Sequence, residues 1–376
     1  MKTLLLGAGR VGTAIARDLA TGEGFDLTVA DSDREALDRL RELRDVWRVT
    51  LDASDPAALG RLVNAHELVI GAMPGHLGYE TAKRVIEAGR PLVDISFFEQ
   101  DALSLDAVAK EKGVVAIVDC GVAPGCSNLI LGRLEAALEK TNRFECVVGG
   151  LPAERSWPWE YKAPFSPVDV IEEYTRPARL RRDGRDVVMP ALSEIELVEF
   201  PGVGTLEAFN TDGLRTLLKT CRTPTMIEKT MRYPGHAERM RALRNAGFFG
   251  RRALDVAGVS IRPIDLTARL LFEQWRFEPG ESDLMAMRVI VEGTDGGGPV
   301  THTYTLLDRY DAETQTTAMA RTTGYTCTAM ARLVASGRWT QPGVAPPEII
   351  GRDEACFEFV MQHLGERGVV FRHEQN

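Results

Sequence analysis

The chain has 376 residues, 44% hydrophobic and 26% charged, with a net charge of −9 at pH 7. That is ordinary globular composition, long enough for two domains with sizeable cores. The acidic balance argues against nucleic acid or an anionic membrane as the main partner, and no apolar run approaches the roughly eighteen residues that a membrane helix needs.

Six cysteines without a C-x-x-C pair, and six histidines without zinc-ligand spacing, point to reduced thiols and to no metal site. The N-terminal apolar segment is short and broken by glycines, unlike a secretory signal. A cytoplasmic protein acting on a small molecule is the expectation.

Lys2–Leu6 reads as a short buried strand, followed by Gly7, Gly9 and Gly12 at G-x-G-x-x-G spacing and then an amphipathic helical segment, Thr13–Ala20. Gly7 permits the tight turn, Gly9 lets a pyrophosphate approach bare main chain, and Gly12 lets helix and strand pack closely. Arg10 and Val11 lie in the same turn, where a helix N-terminus offers free N–H groups to an anion. The apolar Leu27–Ala30 then ends in Asp31 and Ser32, where a carboxylate would accept hydrogen bonds from the adenosine ribose. These residues predict a nicotinamide dinucleotide site. Asp31 would repel a 2′-phosphate, which favours NAD, while Arg34 keeps NADP open.

The pattern then repeats. Ser32–Leu43 is helical in period, and Val46–Thr50 is a strand. Asp55 is placed to cap a helix beginning at Pro56. Strands at Leu68–Gly71, Pro91–Ser96 and Val114–Asp119 alternate with helices at Tyr79–Ala88 and about Leu103–Lys112. Such alternation predicts a parallel, doubly wound α/β sheet that binds ligands beyond the carboxyl ends of its strands. The residues there become candidates: Asp52 for the adenine amino group, and Ala72, Met73 and Pro74 along the adenosine and diphosphate. Asp94, Asp119, Gly121 and Val122 lie towards the nicotinamide. For Asp52, Asp94 and Asp119 a turn or cap role is the alternative.

Asp119–Gly125, with two glycines and a proline, suggests a domain boundary. A helix, Ser127–Lys140, follows. From Arg143 the runs alternate: Phe144–Gly149, Ile195–Phe200, Leu284–Glu292 and Thr301–Arg309, with helices at Arg239–Gly247 and Ile264–Trp275. This predicts a mixed or antiparallel sheet with helices. Near Thr317 the pattern returns to helices, Cys327–Ser336 and about Glu354–Arg367. The expected organisation is a dinucleotide domain over 1–124, an inserted α+β domain over 125–316, and a tail over 317–376 packing back on the first domain. The site is then expected in the cleft between the two domains.

The chain resembles the saccharopine dehydrogenase/reductase family, and within it is most similar to the lysine 6-dehydrogenases. The matching stretches are Leu4–Gly9, Val93–Ser96, Asp119–Gly125, Gly149–Pro152, Tyr161–Pro167, Phe209–Thr216 and Arg232–His236, in family order. The resemblance implies a Rossmann domain, an inserted domain that also forms a homodimer interface, and NAD(P)-linked chemistry at a C–N bond. The expected reaction is oxidative deamination of the lysine ε-amine to the 6-semialdehyde and ammonia. The alternatives are a reductase joining an amine to an aldehyde, as in saccharopine or carboxynorspermidine formation, and a non-catalytic NAD-sensing protein.

Deamination needs a neutral amine, hence a base. Asp94, Asp119 and Lys162 are the candidates, Lys162 because a desolvated lysine accepts a proton near neutral pH. Tyr161, Thr211, Asp212, Arg215, Tyr233 and His236 are candidates for binding the amino-acid end; a helix cap is the alternative for Asp212, and a histidine after such a turn is more often a local hydrogen-bonder than a catalyst. Cys120 reads as a small packing residue.

Overall fold

A computed structural model describes all residues except 22, 23, 164–166 and 279, and only the backbone at 167 and 168. Part of the motif Tyr161–Pro167 therefore lies outside the described residues. The chain forms two compact units. One holds Met1–Lys140, Lys219–Arg222 and Ala320–Val370; the other holds Thr141–Leu218, Thr223–Met319 and Phe371–Asn376.

The first unit is built on strands β1 (Lys2–Leu6), β2 (Asp26–Asp31), β3 (Trp47–Thr50), β4 (Leu68–Gly71), β5 (Leu92–Asp94) and β6 (Val115–Ile117). They lie in the order β6-β5-β4-β1-β2-β3, all parallel, with Gly343–Val344 added beside β6. The order reverses at β1, and Rossmann sheets bind at such a switch point. The apolar runs of β1, β4 and β5 are buried on both faces, as central parallel strands require. The expected Asp55 cap is present: its carboxylate accepts from the Ala57 and Ala58 N–H groups, with Pro56 first in the helix Pro56–Asn64. The helix expected over Ser32–Leu43 shrinks to Arg34–Asp38 and gives way to turns.

The first unit runs past residue 124, where the sequence suggested a boundary. The helix Cys126–Ala137 packs so tightly on Pro347–Gly351 that a Cβ on Gly132 would stand 2.0 Å from Glu348 O. The tail does not return as a whole either. Residues 320–370 belong to the first unit, but Phe371–Gln375 pairs antiparallel with Gly298–Arg309 in the second sheet.

Among the described residues that second sheet has nine strands and is mixed. Thr225–Arg232 runs parallel to Lys140–Pro152 and antiparallel to Gly204–Asn210. A long hairpin pairs Asp283–Asp295 with Gly298–Arg309. Helices Pro167–Thr175, His236–Asn245 and Pro263–Trp275 bury an aromatic core of Tyr161, Tyr174, Phe209 and Trp275.

Candidate active site

The glycine turn meets the needs of a bound diphosphate. Gly7 has φ of +106°, which L side chains disfavour, and its N–H donates to Ala30 O at 2.8 Å. A Cβ on Gly7 would lie 2.4 Å from Ala72 O, and one on Gly12 would lie 2.1 Å from Gly7 O. The first-turn helix and the β4 turn are thus drawn against the glycine turn. Gly9 differs: nothing stands within 4 Å of its Cβ position. It is the N-cap of the helix Arg10–Ala20, with no side-chain cap and no acidic residue in the first turn. A helix start without an N-cap side chain, at Arg10 and Val11, suits an anion.

Asp31 lies at the end of β2. One carboxylate oxygen accepts the Ala8 N–H at 2.6 Å, and the other accepts the Asp33 N–H at 2.8 Å. The predicted ribose ligand thus also braces the glycine turn. Ser32 follows in an exposed bend, and the exposed Arg34 starts a short helix. Asp52 is exposed, and its carboxylate accepts the Ser54 hydroxyl at 2.6 Å and the Ser54 N–H at 2.9 Å. The hydroxyl bond first, and then the backbone bond, hold its pKa below the usual value. This is the local turn foreseen as the alternative for Asp52.

The ends of β4 and β5 interlock. Asp94 is fully buried, and its carboxylate accepts from Ser96 N–H at 2.7 Å and from Ser96 Oγ at 3.2 Å. Ser96 Oγ in turn accepts the Met73 N–H at 3.2 Å, while the Ala72 N–H donates to Leu6 O at 2.8 Å. Pro74 is the N-cap of the helix Gly75–Glu87. Asp94 is thereby a positioning group for the turn that carries Ala72, Met73 and Pro74.

Beyond β6, Asp119 is buried with φ of +54°. Cys120 sends both its N–H, at 3.2 Å, and its thiol, at 3.0 Å, to Asp94 O. Burial, and next its hydrogen bond with the Cys327 thiol, push the Cys120 thiol well above its ordinary pKa, so it packs as a neutral group. The Gly121 N–H donates to Pro124 O at 3.1 Å, and Val122 O accepts the Ser127 N–H at 3.3 Å.

In the second unit the candidate residues fall into three groups. Lys162 is an ion-pair partner: its ammonium donates to both carboxylate oxygens of Glu281. Thr211, Asp212 and Arg215 are all buried. The Thr211 hydroxyl meets Thr230 Oγ1 at 3.0 Å, and Asp212 binds the Arg179 guanidinium through two bonds of 2.8 Å and also its N–H. Asp212 is thus an ion-pair partner and not a free helix cap. Arg215 has φ of +44°.

Tyr161, Tyr233 and His236 are buried as well. Tyr233 donates to Pro152 O at 2.9 Å and lies beneath Arg155. The Tyr161 ring meets Trp275 edge to face at 5.3 Å and carries Arg232 over its face at 4.4 Å. Burial, and then the Arg232 charge, lower the His236 pKa to about 3, so the imidazole is neutral. Its Nδ1–H donates to Trp159 O at 2.9 Å, which leaves Nε2 to accept from the Tyr174 hydroxyl at 2.9 Å. Tyr161 and His236 are therefore core residues, the reading that a local hydrogen-bonding histidine allowed.

Glu173, which pairs with Arg232, was not a candidate from sequence. Among the described residues no group of three or more His, Cys, Asp or Glu is placed to hold a metal, and no helix is long and apolar enough to cross a membrane.

Two family models match the chain. The model of the saccharopine dehydrogenase NADP binding domain matches residues 3–117, and that of the saccharopine dehydrogenase C-terminal domain matches residues 121–369. The NADP(+), L-glutamate-forming saccharopine dehydrogenase of Pyricularia oryzae is 28% identical over a stretch covering 65% of this chain and 57% of that protein. The α-aminoadipic semialdehyde synthase of Arabidopsis thaliana is 25% identical over 61% of this chain and 23% of its own length. The chain thus matches little more than half of the first relative and about a quarter of the second. The apo saccharopine dehydrogenase (L-Glu forming) from Saccharomyces cerevisiae has the same fold, with a TM-score of 0.81 at 19% identity over 100% of this chain and 99% of that one. With a family model spanning well over half its length, the chain belongs to the saccharopine dehydrogenase family.

Proposed function

We propose that this protein is an NADP-linked oxidoreductase acting on the C–N bond of a saccharopine-type secondary amine. Oxidation at the carbon and hydrolysis of the resulting imine would release L-glutamate and an aldehyde; the reverse reaction would join them. The observation that carries the proposal is the open space before Gly9 at an uncapped helix N-terminus, inside the stretch matched by the NADP binding domain. The nicotinamide, when bound, would supply the hydride acceptor.

The chain's own residues have these proposed tasks. Gly7–Gly12 hold the diphosphate, and Asp31 braces the turn while facing the ribose. Its charge is partly offset by two N–H groups, and Arg34 is the cation offered to a 2′-phosphate. Ala72, Met73, Pro74, Gly121 and Val122 line the path of the dinucleotide, and Asp52 stays at its adenine end. Asp94 fixes the Met73 turn through Ser96. Lys162, hydrogen-bonded to Glu281, holds the proton that the amine must give up or receive, and Asp119 is the second candidate for that task. Thr211, Asp212, Arg215 and Tyr233 are proposed for the amino-acid end, and Tyr161 and His236 support it from the core. The preference for NADP over NAD draws support from the names of the relatives. A cytoplasmic homodimer belongs to the same proposal, and sedimentation of the purified protein tests the dimer.

Supplying saccharopine and NADP(+) should give NADPH and L-glutamate in equal amounts. Ammonia released from lysine with NAD(+), without saccharopine turnover, would replace this reading with deamination of the lysine ε-amine. NADPH binding without turnover of either substrate would favour a sensing role.

A further inference from the structure

The first unit carries a hollow of about 410 Å³, lined by Arg332, Arg338, Phe359, Gln362, His363, Glu366 and Arg367. It lies beside Asp18, near the C-terminal end of the helix Arg10–Ala20. Nine residues separate Asp18 from Gly9, about 13 Å of helix rise, so the hollow is distinct from the glycine turn.

The charge in this hollow is not balanced. Three guanidinium groups face two carboxylates, Asp18 and Glu366. Arg367 takes Asp18 through Nε at 2.5 Å and lies 3.9 Å from Glu366. Arg332 donates one Nη to Asp18 O at 3.1 Å and lies over the Phe25 ring, but it stands 3.6 Å from Asp18 Oδ2, and its buried Nε has no partner among the described residues. Arg338 is exposed, lies 5.1 Å over the Phe359 ring, and makes no ion pair among the described residues. On a chain of net charge −9, such a surplus of positive charge around a hollow calls for an anion.

We propose that this hollow is a binding site for a small organic phosphate. Guanidinium forks match phosphate oxygens, and the Arg338–Phe359 stack presents a flat cationic wall. The volume suits a molecule larger than a bare ion, within the ~300–1,000 Å³ typical of small-ligand sites. Gln362 adds an amide group, although its NH₂ already donates to Glu366 at 2.8 Å. The proposal does not depend on the reaction proposed above.

The test uses the full-length protein saturated with NADPH, so that the glycine turn is filled, at constant ionic strength set with KCl. Calorimetric titration with inorganic phosphate and with AMP should give saturable binding of both, AMP the tighter. The exposed site of Arg338 makes Arg338→Gln a variant that should fold. It should weaken both ligands about tenfold, the usual effect of losing one charge-assisted bond. In the unsubstituted protein, phosphate should slow phenylglyoxal modification of Arg338, followed by mass spectrometry. Absence of saturable binding at millimolar concentrations, unchanged affinity in Arg338→Gln, or unprotected Arg338 would overturn the proposal.

Discussion

Gly71 and Asp94 sit side by side on adjacent parallel strands, and a Cβ on Gly71 would stand 1.9 Å from Asp94 Oδ2. The glycine thus makes room for a buried carboxylate whose bonds to Ser96 fix the Met73 turn. Gly71→Ala should destabilise the protein by about 1–3 kcal/mol, the cost of overpacking a core. The cost should shrink in an Asp94→Ala background, because the two positions share one space. Urea unfolding of the two single variants and the double variant measures this.

The residues around this pair show what the sequence discloses. Gly7, Gly9, Gly12 and Asp31 were readable because strand, turn, helix and acid lie within one short stretch, and each obeys a local rule. Asp55 and Pro56 were readable for the same reason. The interlock of Gly71 with Asp94 was not, because it depends on the register of β4 against β5. Tyr161 and His236 carry motif-like neighbours but pack with Trp275, which lies far away in sequence. The bond of Asp18 to Arg367 spans 349 positions, and the pairing of Phe371–Gln375 with Gly298–Arg309 lacks any local signal.

Asp31 joins coenzyme choice to the shape of the glycine turn. Asp31→Ser should raise the NADP-to-NAD ratio of kcat/KM about tenfold by removing a negative charge near the 2′ position. It should also lower stability by about 1–2 kcal/mol, since the buried Ala8 N–H loses a charged acceptor. Initial rates with both coenzymes, together with urea unfolding, check the two effects.

Lys162 and Glu281 are both partly exposed, so their ion pair should contribute little to stability. Lys162→Met should therefore leave unfolding nearly unchanged. If the pair holds the transferred proton, kcat should fall about a hundredfold with little change in KM. A loss of stability without loss of kcat would make Lys162 a structural residue.

Buried His236 sets an acid limit on stability. Its folded pKa, about 3, lies below its unfolded value, so its stabilising contribution is full above about pH 6.5 and is lost as pH falls towards 3. Between pH 8 and pH 5 the loss should be about 2 kcal/mol. His363, lowered to about 3 by burial and Arg367, contributes with the same sign. Asp283, raised by burial to about 6, opposes them, because its carboxyl is better tolerated as pH falls below 6. His236→Gln isolates the first term. Its unfolding free energy should be lower at pH 8 and depend less steeply on pH, and the wild-type His236 ring resonances should not titrate above pH 5.

The central claim is that the bare main chain at Gly9 receives a nicotinamide dinucleotide. Calorimetric titration of NADPH into the wild type and Gly9→Asp measures it directly. The wild type should bind one NADPH per chain. Gly9→Asp should stay folded, because its side chain enters open space, but lose at least about a hundredfold in affinity as its carboxylate meets the diphosphate. Equal NADPH affinity in the two proteins, or no binding by the wild type, would contradict the account.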